Sequence, residues 1–305
     1  MAGKGKRKII SRFRPLFYTL PSFLLIGLII VFPIGYTVYI SFTNMSLSHM
    51  YEFQGIGFQN YYRALFVIDS GFWRSLFLTV LWTVINMALQ LVIAYIVAIL
   101  LNSPNLQLKK LYKTLLMIPW ALPGYVSILV WKNGIFNSQF GFLNKVLAAM
   151  GIGRIEVLSD DVSSFAACTV VNLWLALPFM IMIIDGALQS INKENFEAAD
   201  LDGCNRLEKS VFVTIPLITP IIWPAVLITI FTTFKTFDVI NLMTISPSPT
   251  GAHIETVIVY AYENAFITNN YGFSSAISVL IFLLIALVTI FSDSSFRIKK
   301  KGNPE

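Results

Sequence analysis

EAADLDGCNRLEKSVFVTIP, residues 197–216, is a charged stretch between two long hydrophobic segments, VNLWLALPFMIMIIDGALQSI (171–191) and LITPIIWPAVLITIFTTF (217–234). Just upstream, Asn192 is placed to cap a short helix, with Glu194 in its first turn, where a carboxylate suits the positive end of the helix dipole. On that helix Phe196, Ala199 and Gly203 recur at i, i+3 and i+7, a small and partly apolar stripe. Ala198 and Ala199 let another surface approach the backbone closely. Gly203 takes conformations that other residues avoid, so a bend is expected there, before a second helix from about Arg206. Pro216 fits the entry to the next hydrophobic segment. The expectation is a compact helix–turn–helix knob between two spans.

Working outward, the chain is built for lipid. Of its 305 residues 56% are hydrophobic and only 12% charged, where soluble domains carry roughly 25% charge. A helix needs about 20 apolar residues to cross a hydrocarbon core. Six windows satisfy this: Leu16–Phe42, Leu76–Leu101, Leu115–Ile135, Ser164–Gly186, Pro216–Phe237 and Phe273–Phe291. The first is too long for a cleavable signal peptide and offers no small-residue cleavage site. The fold class expected is therefore all-α and integral to a membrane, with six transmembrane helices. The expected divisions are a basic tail (1–15), a transmembrane domain (16–296) with its polar loop at about 190–216, and a second basic tail (297–305).

Lys and Arg set the orientation, because connections rich in them stay cytoplasmic. Lys4, Lys6, Arg7, Lys8, Arg12 and Arg14 precede the first span, and Lys109, Lys110 and Lys113 follow the second. Lys193, Arg206 and Lys209 lie in the polar loop, and Arg297, Lys299, Lys300 and Lys301 end the chain. The opposite connections hold only Arg63, Arg74, Lys132, Lys145 and Arg154. Both termini and the loop are expected in the cytoplasm, and this bias accounts for the net charge of +6 without a nucleic-acid partner. The connections on the other side, Thr43–Phe72, Phe136–Ser163 and Asn241–Tyr271, have room for short helices that would dock a soluble partner. SPSPTG (Ser246–Gly251) reads as turn chemistry.

Several activities find no support in the residues. No GxxxxGK[ST] phosphate loop occurs, so any ATPase that drives the chain is a separate polypeptide. Paired carboxylates and Ser/His/Asp sets are absent at membrane depth, which argues against an embedded enzyme. His49 and His253 are isolated, so a metal site is not expected. Cys168, in a span, and Cys204, in the polar loop, suit burial rather than a disulfide.

EAA alone also fits an ordinary amphipathic loop helix. EAA followed by Asp202-Gly203, and then Ile215-Pro216-Leu217 at the mouth of a span, is far more specific. This resembles the coupling loop of membrane subunits of ATP-binding-cassette importers of type I, whose signature is EAA, a Gly, and then IPL or a close variant. The resemblance covers about Phe32 to Phe291 and looks like the sugar-permease branch, especially the larger membrane subunit of maltose-type systems. FPIGYTVYISFTN (32–44) resembles its first core span, and Gly57–Tyr62 with Phe72-Trp73 its "GLxNY…FW" stretch. MIPWALPGYVSILVWKNGIFNSQFGFLN (117–144) is similar to its third span and the following loop. Two departures stand out: no stretch corresponds to that subunit's extra N-terminal spans and large external domain, and TTFKTFD (232–238) replaces an Asn-rich fifth span.

The resemblance implies ATPase coupling through Glu197, Ala198, Ala199, Asp202 and Gly203. It implies sugar contacts at Tyr125 and Ser127, at Asn172, Trp174, Leu175, Ala176 and Phe179, and at Thr233 and Thr236. It also implies partners: a homologous second permease, two ATPase subunits that hold ATP and Mg, and an extracytoplasmic binding protein that delivers the saccharide. No cofactor on this chain is implied, and the location is a bacterial or archaeal cytoplasmic (inner) membrane.

These residue types suit a sugar in their own right, since Asn, Ser and Thr bond hydroxyls and aromatic faces cover the C–H side of a pyranose. Each also fits interhelical packing, and packing is the expected role of Trp131 and Trp223. Lys235 stays open between two roles. At i, i+3 it can pair with Asp238, the reading the neutral surroundings favour, or it can read an anionic solute such as a uronate-containing saccharide or a glycerol phosphate. An ion-coupled carrier would need inverted repeats, which are not evident. A scaffold or sensor would leave the EAA loop unexplained.

Overall fold

The structure, a computed structural model, describes residues 18–67, 71–244 and 253–301, with side chains as far as residue 290. The N-terminal basic tail, the SPSPTG turn and the last residues of the C-terminal tail lie outside the described residues. Within them the chain is helical, and an isolated bridge pairs Thr43 with Gly55. The helices are α1 (Tyr18–Ile40), α2 (Gln59–Phe66), α3 (Phe72–Asn102), α4 (Lys109–Leu116), α5 (Ile118–Ala121), α6 (Gly124–Val130) and α7 (Phe142–Ala149). There follow α8 (Asp161–Gln189), α9 (Lys193–Leu201), α10 (Arg206–Glu208), α11 (Ile215–Phe234), α12 (Asp238–Thr244), α13 (Val257–Phe266) and α14 (Tyr271–Lys301). π-helical segments lie inside α1 (Gly27–Val31), after α6 (Trp131–Ile135) and before α11 (Lys209–Thr214).

Among the described residues five helical runs are long and apolar enough to cross a membrane: Tyr18–Ile40, Phe72–Asn102, Asp161–Gln189, Arg206–Thr244 and Tyr271–Ile290. The sixth predicted crossing, Leu115–Ile135, is assembled from pieces. Pro119 sits in the first turn of α5, and Leu122, just ahead of Pro123, is extended with φ −96° and ψ 140°. A residue before proline is pushed out of the helical region, so the chain must leave the helix there. The expected connections do hold short helices, α2, α7, α12 and α13.

The chain divides into two compact units. In the unit made by the two ends, up to Trp73 and from Tyr260, α1 and α2 both pack on α14. The Asn60 amide donates to the Ser41 and Thr43 carbonyls at 2.9 Å each, and the Arg63 guanidinium lies 4.4 Å from the centre of the Phe273 ring. A Cβ at Gly272 would fall 2.2 Å from the Thr43 carbonyl oxygen, so the backbones meet there only because the residue is glycine.

The second unit, Arg74–Val259, contains every candidate site residue. Its long helix α8 is started by Asp160, whose carboxylate accepts the N–H groups of Val162 and Ser163 at 3.0 Å. The Ser163 hydroxyl and these amides hold the Asp160 carboxyl below the usual carboxylate range. Against α8 pack α5, α11 and α12. One core joins Trp82, Ile128, Cys168, Val171, Ile240 and Met243; the other joins Met87, Ala94, Ala98, Met180, Ile184 and Ile218. Ala94 and Ala98, one turn apart on α3, are fully buried, and such small residues let helices approach without a solvent-driven force. Thr79 and Thr83 return their hydroxyls to carbonyls four residues back, so they are satisfied inside α3.

Candidate functional site

The polar loop folds largely as its residues dictate. The Asn192 side chain accepts the Glu194 N–H, starting α9, and the helix closes after Leu201. Gly203 then has φ +74°, in the left-handed region that costs an L side chain strain, and no heavy atom lies within 4 Å of where its Cβ would be. The second helix starts with a capping box: the Asn205 side chain accepts the Leu207 and Glu208 N–H groups at 2.9 Å, and the Glu208 carboxylate accepts the Asn205 N–H at 2.7 Å. Lys209 forms an ion pair with Asp200, joining the two arms.

Around this turn Ala199 is buried at 5% exposure, whereas Glu197, Ala198, Asp202 and Gly203 are exposed. Leu201 and Leu207 stand 90% and 73% exposed beside them. The stripe expected through Phe196, Ala199 and Gly203 is only partly formed, because α9 ends before Gly203 reaches it.

The predicted saccharide contacts lie on α6, α8 and the end of α11. Tyr125 on α6 is exposed, while Ser127 is buried and its hydroxyl makes no hydrogen bond to protein. On α8, the Asn172 amide donates to Asn86 Oδ1 at 2.8 Å. Trp174 meets Trp131 edge-on at 5.9 Å, and Phe179 stacks on Trp120 at 5.7 Å. Leu175 borders the Trp82 core, and the Ala176 carbonyl accepts the Gln90 amide at 2.9 Å. Thr233 is buried beside Met87, and the Thr236 hydroxyl donates to the Thr232 carbonyl at 3.3 Å. Asn172 and Ala176 are thus engaged in helix-to-helix bonds, and Tyr125, Trp174 and Phe179 offer the open aromatic surface.

One expectation fails. Lys235 and Asp238 form no ion pair among the described residues, and both are exposed. The pairing assumed a continuous helix, but α11 ends at Phe234, and Lys235, with φ −90° and ψ 10°, leads into a three-residue break before Asp238 opens α12. The i, i+3 proximity of a helix is lost with the helix.

Residues 90–298 match the family described as "Binding-protein-dependent transport system inner membrane component". The chain belongs to this family. It is 33% identical over 269 residues to the sulfoquinovosyl glycerol transport system permease protein of Agrobacterium fabrum, covering 88% of this chain and 85% of that one. It is 30% identical to the galactooligosaccharides transport system permease protein of Bacillus subtilis, covering 92% and 70%, and 29% identical to the trehalose/maltose transport system permease protein of Thermococcus litoralis, covering 89% of each. A crystal structure of a bacterial transporter that imports the acidic polysaccharide alginate contains a chain of the same fold, with TM-score 0.78, 17% identity and coverage of 95% and 97%. The inner membrane component is thus an all-α, multi-pass protein of the type I importer permease fold. Among its described residues no cluster of His, Cys, Asp and Glu is arranged to hold a metal.

Three features of this permease escaped the sequence reading. Asn86 and Gln90, one turn apart on α3, reach α8, and polar residues at that spacing in an apolar span were the available signal. Trp120 was not singled out as a partner for Phe179. Asp185 is buried near the end of α8 and accepts from Lys113 Nζ at 2.6 Å, Asn102 Nδ2 at 2.9 Å and Gln189 Nε2 at 2.8 Å. A carboxylate in a predicted span was itself the warning.

Proposed function

We propose that this chain is the permease subunit of a saccharide importer, forming half of an alternating-access path for an oligosaccharide of the maltose or maltooligosaccharide kind. The observation that carries the proposal is the exposed turn built by Asn192, Gly203 and the Asn205–Glu208 capping box in a chain of this transporter family. In this reading Glu197, Ala198, Asp202 and Gly203 form a small exposed knob for an ATPase, with Ala199 packed beneath it. ATP and Mg belong to two such ATPase subunits; a homologous permease supplies the other half of the path, and a binding protein delivers the sugar. Both termini and the knob are cytoplasmic in this reading, and 16–296 forms the transmembrane domain between basic tails. Tyr125, Ser127, Asn172, Trp174, Leu175, Ala176, Phe179, Thr233 and Thr236 line or support the sugar path.

A second substrate reading has its own support. Lys235 lies in a helix break and makes no ion pair among the described residues, which leaves room for an acidic saccharide or a glycerol phosphate-like solute as the alternative substrate. The relative named for sulfoquinovosyl glycerol is consistent with such a substrate.

The test is purification of the tagged chain from native membranes with whatever it retains. A retained subunit that hydrolyses MgATP, and its loss from Gly203→Val and Glu197→Lys, is the expected result. Uptake that follows an ion gradient with no ATPase retained would favour the ion-coupled carrier instead. The retained binding protein is then titrated with maltooligosaccharides, uronate oligosaccharides and glycerol 3-phosphate to settle the solute.

A further inference from the structure

We propose that Asp185 is a positioning residue that makes α4 move with the loop helix α9, so that motion received at the loop reaches the broken third crossing. Four observations carry this. Asp185 is 3% exposed, so its charge is held by protein rather than water. Its two carboxylate oxygens take donors from three places: Asn102 at the end of α3, Lys113 in the middle of α4 and Gln189 one turn further along α8. It lies eight positions before Lys193, the first residue of α9, in the last turns of a continuous helix. Finally, α4 is short and bounded by breaks in the helical backbone. Leu108, just before it, has φ +56°, and the chain just after it reaches Pro119.

Apolar contact ties this eight-residue segment to α8 through Leu116, which packs on the core that includes Ile184 and Ala187, and such contact does not fix a register. The Lys113–Asp185 ion pair adds a directional tie, and Asn102 links the same carboxylate to the end of α3. Because α4 leads through α5 into α6, the tie connects the loop to the segment that bears Tyr125 and Ser127. A charge pair used only for stability would need no such placement. An apolar pair of the same volume is commonly as stable in a buried site, whereas an ion pair with two further donors fixes one register.

The inference rests on the importer reading for its link to ATP, but its geometric half is tested without it. Spin labels are placed at Leu111→Cys on α4 and Asn195→Cys on α9, both exposed positions, in a Cys204→Ser background. The protein is reconstituted in nanodiscs with whatever ATPase it retains, and the distance is read with and without MgATP and vanadate. The parent should give one narrow distance that is the same in both states. Asp185→Asn, which keeps the size of the side chain, should broaden or split it, as should Lys113→Gln. The charge-swapped pair Asp185→Lys with Lys113→Asp should restore it, because the amides of Asn102 and Gln189 can turn to accept instead of donate. ATP hydrolysis without binding protein should rise in Asp185→Asn and return in the swap. If Asp185→Asn fails to fold, Lys113→Gln and the swapped pair carry the same comparison. A narrow, unaltered distance in folded single variants would overturn the proposal. A parent that retains no ATPase would instead count against the importer reading, while the nucleotide-free distance would still decide this one.

Discussion

Asp185 and Lys235 are both ionisable residues near the ends of helices that cross the membrane, and the chain treats them in opposite ways. Asp185 is buried and holds a lysine and two amides around it. Lys235 is exposed in a break between α11 and α12 and holds nothing among the described residues. The first arrangement removes the cost of a buried charge within one chain. The second leaves a charge to be satisfied by something outside the unit, such as a solute, water or another subunit. A charged residue in a predicted span therefore signals either scaffold or site, and only its partners tell which.

The largest effect should come from unbalancing Asp185. Asp185→Leu leaves Lys113 facing an apolar site and should destabilise the protein by roughly 3 kcal/mol, the low end for breaking a buried pair because Lys113 is partly exposed. Thermal unfolding in detergent would measure it, and Lys113→Met added to Asp185→Leu should recover most of the loss. No recovery would mean that the carboxylate's bonds to Asn102 and Gln189 matter more than its charge.

Next is Asn172→Ala, which deletes the bond to Asn86 and leaves Asn86 Oδ1 without its donor, while Asn86 Nδ2 still donates to the Trp82 carbonyl. A loss of about 1 kcal/mol is expected, together with weaker uptake of whichever saccharide the binding protein titration selects. Asn86→Ala with Asn172→Ala should cost less than the two changes added, since neither partner is then stranded. Uptake that falls in the double variant although stability recovers would place Asn172 on the sugar path as well as in the scaffold.

Lys235→Gln tests the other half of the comparison. Its stability should change by less than about 0.5 kcal/mol, as for other exposed positions, while uptake of uronate oligosaccharides falls and that of neutral ones is retained. A stability loss like that of Asp185→Leu would erase the distinction between the two charges.

The smallest effect concerns pH at the start of α8. Asp160 is held below its ordinary range by Ser163, so its contribution is present above the unfolded carboxylate value, about 4, and fades as pH falls through the lower folded value. A shallow fall in thermal midpoint at acid pH is expected, and Asp160→Asn, which still accepts the amide hydrogens, should remove that part of the slope.

Much of this architecture was legible because lipid imposes simple arithmetic. Runs of apolar residues marked the crossings, and local capping chemistry at Asn192 and Gly203 marked the loop, since both depend on residues close in sequence. What failed depended on continuity or on distance along the chain. The Lys235–Asp238 pair assumed a helix that in fact ends at Phe234, before either residue, and nothing in TTFKTFD announces that end as a proline would. Lys113 and Asp185 are 72 residues apart, as Asn86 and Asn172 are 86 apart, and no local pattern reports that they meet.

The broken third crossing has a consequence for how the protein is made. A continuous apolar helix satisfies its own backbone and can enter the bilayer alone. In the run 115–135 Pro119 and Pro123 interrupt that ladder and Leu122 is extended between them, so its freed backbone groups need partners from neighbouring helices. The expectation is that it enters only once α8 has emerged to receive α5 against its side. If the third crossing is completed only after the fourth exists, a ribosome stalled before residue 161 should leave cysteines placed in 115–135 accessible to water-soluble thiol reagents that a chain carrying α8 excludes.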